Sequence, residues 1–184
     1  MTTINVKAEA NKELFVTAAA NFAQTKLQAL TQVESAQSDE EKASFKSAAK
    51  TAQTHERYSE ALSKMSEKAL ASLSKYKINA EELATQSREL KKRSIAILEA
   101  LATKQRVQDR ALDAVLQYIV AKDAAAMSLE AVRAQMMHET TTQAQYFKTC
   151  AIFFHFATYS KSDKVINFKK DATVLKELIA IYTI

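Results

Sequence analysis

Not one of the 184 residues is a glycine or a proline. Average usage, about 7% Gly and 5% Pro, would supply roughly a dozen of the first and nine of the second. Glycine takes positive φ at no steric cost, so its absence disfavours primed hairpin turns and glycine-stopped helices. Without proline, no loop is stiffened by a fixed φ. A β-sandwich or an α/β domain needs many such corners, whereas long helices need few. The sequence therefore predicts an all-α fold, at least three-quarters helical and free of β-sheet.

The same absence bears on function. The phosphate-cradling P-loop, the dinucleotide fingerprint, the nucleophile elbow and the EF-hand loop all use glycine where backbone turns sharply or meets a ligand. None of these can be written in this alphabet. The remaining composition, 47% hydrophobic and 26% charged, is that of a folded protein. At this length a single domain spanning 1–184 can bury roughly 70% of its extended-chain surface. One cysteine, Cys150, leaves no internal disulfide. The polar start Met1-Thr2-Thr3-Ile4-Asn5 has no signal-peptide core, and no apolar run reaches the ~18 residues of a membrane span. Cytoplasmic localisation is the default expectation, with non-classical secretion left open.

The net charge of +5 is spread along the chain. Residues 61–120 hold the excess, with 11 basic and 7 acidic side chains. Tyr76 is the only aromatic between Lys75 and Arg110. A single-strand binder interleaves basic residues with aromatics that stack bases, so this stretch reads as a solvated helix face. Nucleic acid is not an expected partner, nor is a small-molecule substrate.

Helix boundaries must come from polar caps. Ser38-Asp39-Glu40-Glu41 and Asn79-Ala80-Glu81-Glu82 each put a capping side chain ahead of first-turn acids. Thr140-Thr141-Thr142 and Ser160-Lys161-Ser162-Asp163 read as breaks. The predicted helices cover about 5–36, 39–77, 80–138, 142–159 and 164–182. The third would be about 85 Å long if unbroken, which favours an elongated antiparallel bundle over a bend at 103–106 or 122–123. In the first helix Phe15, Ala19, Phe22, Ala29 and Val33 form an apolar stripe, with Leu30 beside it. Frequent alanines favour close, coiled-coil-like helix packing, although polar gaps break any strict heptad.

No catalytic, metal or cofactor site emerges. The residues three before His55, His138 and His155 are Ala52, Gln135 and Ile152, so the Glu-x-x-His motif of di-metal bundles is missing. His55-Glu56 and His138-Glu139 read as exposed helix residues. Cys150 and His155 would diverge by about 140° on a helix, so Cys150 reads as a buried small hydrophobe. The protein is expected not to be an enzyme.

Eight of the 14 aromatics fall in the last 39 residues. Tyr146, Phe147, Phe153, Phe154, Phe156 and Tyr159 crowd one helix, and Phe168, Leu178, Ile181 and Tyr182 follow. On a continuous helix Phe153 and Phe156 share a face while Phe154 points away, so apolar surface wraps the helix. Part of this zone, 142–184, packs on or extends the bundle. Its surplus reads as an interface for a second copy or a protein partner, where aromatics are enriched. The expected function is a non-enzymatic helical protein that self-assembles or docks through these helices. The alternative is membrane contact, as a pore-forming component or a lipid-surface coat.

Overall fold

The computed structural model of the chain describes residues 3–136 and 141–183. The fold is mostly helical, 74% helix. In chain order the elements are α1 (Thr3–Ser35), α2 (Asp39–Ser63), α3 (Glu67–Lys75), α4 (Ala80–Thr85), α5 (Arg88–Thr103) and α6 (Arg110–Ala121). Then come β1 (Ala126–Ser128), α7 (Leu129–Gln135), α8 (Thr141–Phe153), β2 (Ala157–Ser160), β3 (Val165–Phe168) and α9 (Thr173–Tyr182).

The first helix begins and ends close to where the sequence placed it, whereas the expected 39–77 helix stops at Ser63 and resumes under the Ser66 cap as α3. Ser38 and Glu41 close a reciprocal capping box at the start of α2. The Asn79 side chain accepts from the Glu82 amide, 3.1 Å, at the start of α4. The α1 stripe packs as read: Phe15, Ala19 and Ala29 are buried, and Phe22 and Val33 are half-buried. Ala29, Ala49 and Ala52 are buried between α1 and α2 but stand outside the main core. The distal part of this hairpin is thus a two-helix arm seamed by alanine.

Two further expectations are corrected. The 80–138 helix does not exist as one piece. It stops at Thr85, restarts under Ser87, stops at Thr103, restarts under Asp109, whose side chain accepts from the Leu112 amide, and stops again at Ala121. Both sites set aside as bends are full breaks. The mainly helical fold class is as expected, but the expected absence of β-sheet is not, because β1, β3 and β2 form a three-stranded antiparallel sheet in that order. The predicted 164–182 helix begins as β3, where Ile166 and Phe168 are buried and Asn167 between them is exposed. That alternation is a strand period.

The chain turns without glycine by forcing other residues into the left-handed region. Lys77, Lys104, Asp123, His155 and Lys164 all have φ between 45° and 60°. At three of them the bonds are those of a Schellman stop. The Ile78 amide donates to the Leu73 carbonyl (2.8 Å), Ala124 to Ile119 (2.9 Å) and Phe156 to Ala151 (3.0 Å). Each left-handed non-glycine residue costs about 1–2 kcal/mol, and at these three stops the next residue is apolar, buried at Ile78 and Phe156 and half-buried at Ala124. The last of these stops ends the aromatic helix one turn after Cys150 and sends the chain into β2.

Candidate functional site

The residues singled out in the C-terminal part come together, but as a core. Phe147, Phe154 and Phe156 are fully buried, and Phe168, Leu178 and Ile181 are buried as well. Tyr146, Phe153, Tyr159 and Tyr182 are half-buried. Phe147 meets Phe168 edge-on at 6.4 Å, and Phe153 meets Phe154 at 5.8 Å. The helical phase that turned Phe154 outward does not apply, because α8 ends at Phe153 and His155 takes φ 60°. The neighbours α5, α7 and β2 pack against α8, and Phe168 of β3 meets Phe147, covering the sides that a lone helix would have shown to a partner.

Tyr182 closes this core from the far end. Its hydroxyl donates to Asp113 Oδ1 at 2.6 Å and accepts from the Val107 amide at 3.3 Å. Burial first, and the Asp113 bond second, raise its pKa above the ordinary tyrosine value. Nearby, Glu177 accepts from Lys75 (2.6 Å), Lys104 (2.7 Å) and the Tyr76 hydroxyl (2.9 Å). Burial works against its charge, yet these three donors win and hold the carboxyl at about 2. The cluster pins α9 to α3 and to the α5–α6 turn.

Cys150 is buried as expected, and desolvation pushes its thiol up to about 12. His155 is exposed, and its turn carries it away from Cys150. His55 is not the exposed residue anticipated. It stacks on Phe22 with centroids 4.9 Å apart, and burial, then Lys91, lowers its pKa. His138-Glu139 lies outside the described residues. Among the described residues, no three His, Cys, Asp or Glu side chains are grouped to hold a metal ion. No described helix is long and apolar enough to cross a membrane.

Two buried cations come from α5, and the sequence reading took both for solvated charge. Lys91 is completely buried, 3.2 Å from Ser59 Oγ, 3.4 Å from His55 Nδ1 and 4.8 Å from the Phe22 ring centroid. Desolvation lowers its pKa to about 8. Arg93 is 2% exposed and donates to both the backbone carbonyl and the Oε1 of Gln143, in the first turn of α8. Arg93 thereby fixes α8 against the helical layer.

What remains exposed and apolar is mostly elsewhere. Val6, Val16, Leu27 and Leu30, all on α1, are 45–62% exposed; Ile152 on α8 is the other large one. Val16, Ala20, Ala23, Leu27 and Leu30 follow one another at intervals of 4, 3, 4 and 3 along a flank of α1 beside its buried line, all exposed except the half-buried Ala23. From Leu14 to Val33, twenty residues, the only charge is Lys26. Its ammonium is committed to Glu56 at 2.6 Å. Sequence reading missed this stripe because it weighed only the α2-facing one. No family model, curated protein or solved structure matches the chain.

Proposed function

We propose that the protein is a non-enzymatic helical protein that self-associates, and that the contact is this flank of α1 rather than the C-terminal aromatics. The observation that carries this reading is the 4-3-4-3 stripe from Val16 to Leu30, exposed at every position but the half-buried Ala23, in a stretch with one, already paired, charge. A soluble surface usually carries about one charge in every three or four residues. A heptad-spaced stripe is what a second helix recognises. Two copies related by a two-fold axis present the same stripe to each other. In the antiparallel arrangement Leu27 and Leu30 of one copy lie opposite Ala23 and Ala20 of the other, large against small. The contact is one helix wide, at the low end of the ~800 Å² per partner of stable interfaces, so a weak, concentration-dependent association is expected.

Sedimentation equilibrium between about 5 and 500 μM tests this. The mass should rise from 20.5 kDa towards twice that value. The double variant Leu27→Glu, Leu30→Glu should stay monomeric with an unchanged circular dichroism spectrum. A wild-type chain that is monomeric throughout, or a variant that associates equally well, overturns the reading. Assembly only in the presence of phosphatidylcholine vesicles would instead favour the membrane reading.

A further inference from the structure

The segment from α6 to β3 has an order of its own: helix, strand, helix, helix, then a two-stranded hairpin whose second strand lies between the other two in the sheet. A helix pair followed by a hairpin is the arrangement of a helix-turn-helix with a wing, in which the second helix of the pair enters a nucleic-acid groove. Fold likeness alone says nothing about function, so the surface must carry the argument.

Along α8, Ala144, Phe147, Cys150 and Ala151 are buried, which seats the helix on the core. The opposite side presents Thr142, Gln145, Thr149 and Ile152, at intervals of 3, 4 and 3. From Thr140 to Ser162 the sequence contains no acid at all. Lys148 lies 4.5 Å over the Tyr159 ring of β2, which draws its charge towards the hairpin. The exposed turn between β2 and β3 carries Lys161 and Lys164, and Lys164 lines one depression with the exposed Arg133 of α7. Among the described residues two acids lie nearby, and in the sequence Glu139 directly precedes the acid-free stretch. Glu130 lines the same depression, and Asp163 accepts from Ser160 Oγ at 2.7 Å. Buried Arg93 bonds Gln143 twice, fixing the first turn of the helix that would enter the groove.

We propose that α8 and the β2–β3 hairpin form a docking face for double-stranded DNA. Gln145, Thr142 and Thr149 would meet base edges in the major groove, where glutamine and threonine are effective readers. Arg133, Lys148, Lys161 and Lys164 would meet phosphates on either side. Groove reading needs no stacking aromatics, so the shortage of aromatics in the basic middle third does not weigh against it. At thirteen residues, α8 is about 20 Å long, enough to cross a groove about 12 Å wide.

The test is fluorescence anisotropy with a labelled 20-base-pair duplex of mixed sequence. Four phosphate contacts give a slope of about −3.6 in log affinity against log salt, hence a loss of roughly a hundredfold between 50 and 200 mM. The double variant Lys161→Ala, Lys164→Ala should cut that loss to about tenfold. Lys46→Ala, Lys50→Ala, which removes equal charge from the α1–α2 arm, should leave it unchanged. Gln145→Ala with Thr149→Ala should flatten preference among duplex sequences while keeping the salt slope. No binding by 100 μM protein at 50 mM salt overturns the proposal. So does a preference for single strands over duplex, or equal effects of the hairpin and arm variants.

Discussion

Replacing Lys91 with methionine should make the protein more stable at neutral pH. The ammonium is completely buried and meets only Ser59 Oγ, His55 Nδ1 and the face of Phe22. No carboxylate forms an ion pair with it among the described residues. Its pKa falls from 10.5 to about 8 through loss of hydration. At about 1.4 kcal/mol per pH unit, that gap corresponds to about 3 kcal/mol of penalty for carrying the charge into the fold. The lost cation–π contact returns about 0.5–2 kcal/mol of this, and the Ser59 hydrogen bond about 1 kcal/mol. Methionine fills similar space with no charge, so a net gain of roughly 1 kcal/mol is expected at pH 7. The pH dependence is the sharper signature. Below about pH 8, Lys91 is protonated in both states and the penalty is complete. Between about 8 and 10.5 the unfolded chain holds a proton that the folded one has shed, so wild-type stability rises with pH. The advantage of the variant should therefore shrink across that window. Urea denaturation of both proteins at pH 7 and pH 10 measures it, with the titrating groups that do not touch Lys91 cancelling in the difference. A variant less stable at pH 7, or an advantage that does not change with pH, would refute the reasoning.

Glu177→Gln should cost about 1–2 kcal/mol at pH 7, because it replaces the carboxylate shared by Lys75, Lys104 and Tyr76 with a neutral amide that has a single acceptor oxygen. With a folded pKa of about 2 against an ordinary 4.5, this contribution is complete above about pH 4.5 and lost as pH falls towards 2, so acid denaturation of wild type and variant should converge there. Lys77→Gly should stabilise by about 0.5–1 kcal/mol by relieving a left-handed lysine at the stop of α3, read as a shift in urea midpoint; a loss would show that Lys77 makes a contact outweighing its strain. Cys150 should react with a thiol reagent only as the protein unfolds, and labelling at the rate of a free thiol in native buffer would contradict its burial.

The parts of the fold written in local chemistry were legible. Ser38 with Glu41, and Asn79 with Glu82, carry their helix starts in a few consecutive residues, and the structure uses both. The α2-facing stripe of α1 needed only a period. Helix ends were another matter. A stop is recognisable when glycine marks it, and here Lys77, Asp123 and His155 do the work of glycine at a local cost that tertiary contacts offset. Reading the absence of glycine as an absence of tight stops confused a preference with a prohibition. The strand Val165–Phe168 carried its own signal, two apolar residues flanking an exposed asparagine, but it is too short to outweigh the prior for helix.

The misreading of the aromatic zone has the same root. An all-round apolar helix must be covered on every side, and with only helices allowed, the missing cover had to be another molecule. Once the chain turns at His155, β2 and β3 join α5 and α7 in supplying that cover from within, and Phe154 and Phe156 become interior. The residues left facing outward on α8 are then Thr142, Gln145 and Thr149, which neither hydropathy nor charge distinguishes from any polar helix face. They acquire meaning only from what surrounds them: an acid-free helix, a hairpin turn with two lysines, and a buried arginine fixing the first turn from a helix fifty positions earlier. A contact so distant in sequence leaves no local pattern to read. Phe154→Asp separates the two accounts. It should now unfold the chain, because an uncompensated carboxylate in the interior costs several kcal/mol, where an interface residue would have left the monomer intact. A folded Phe154→Asp variant that lost only its association would restore the aromatic interface.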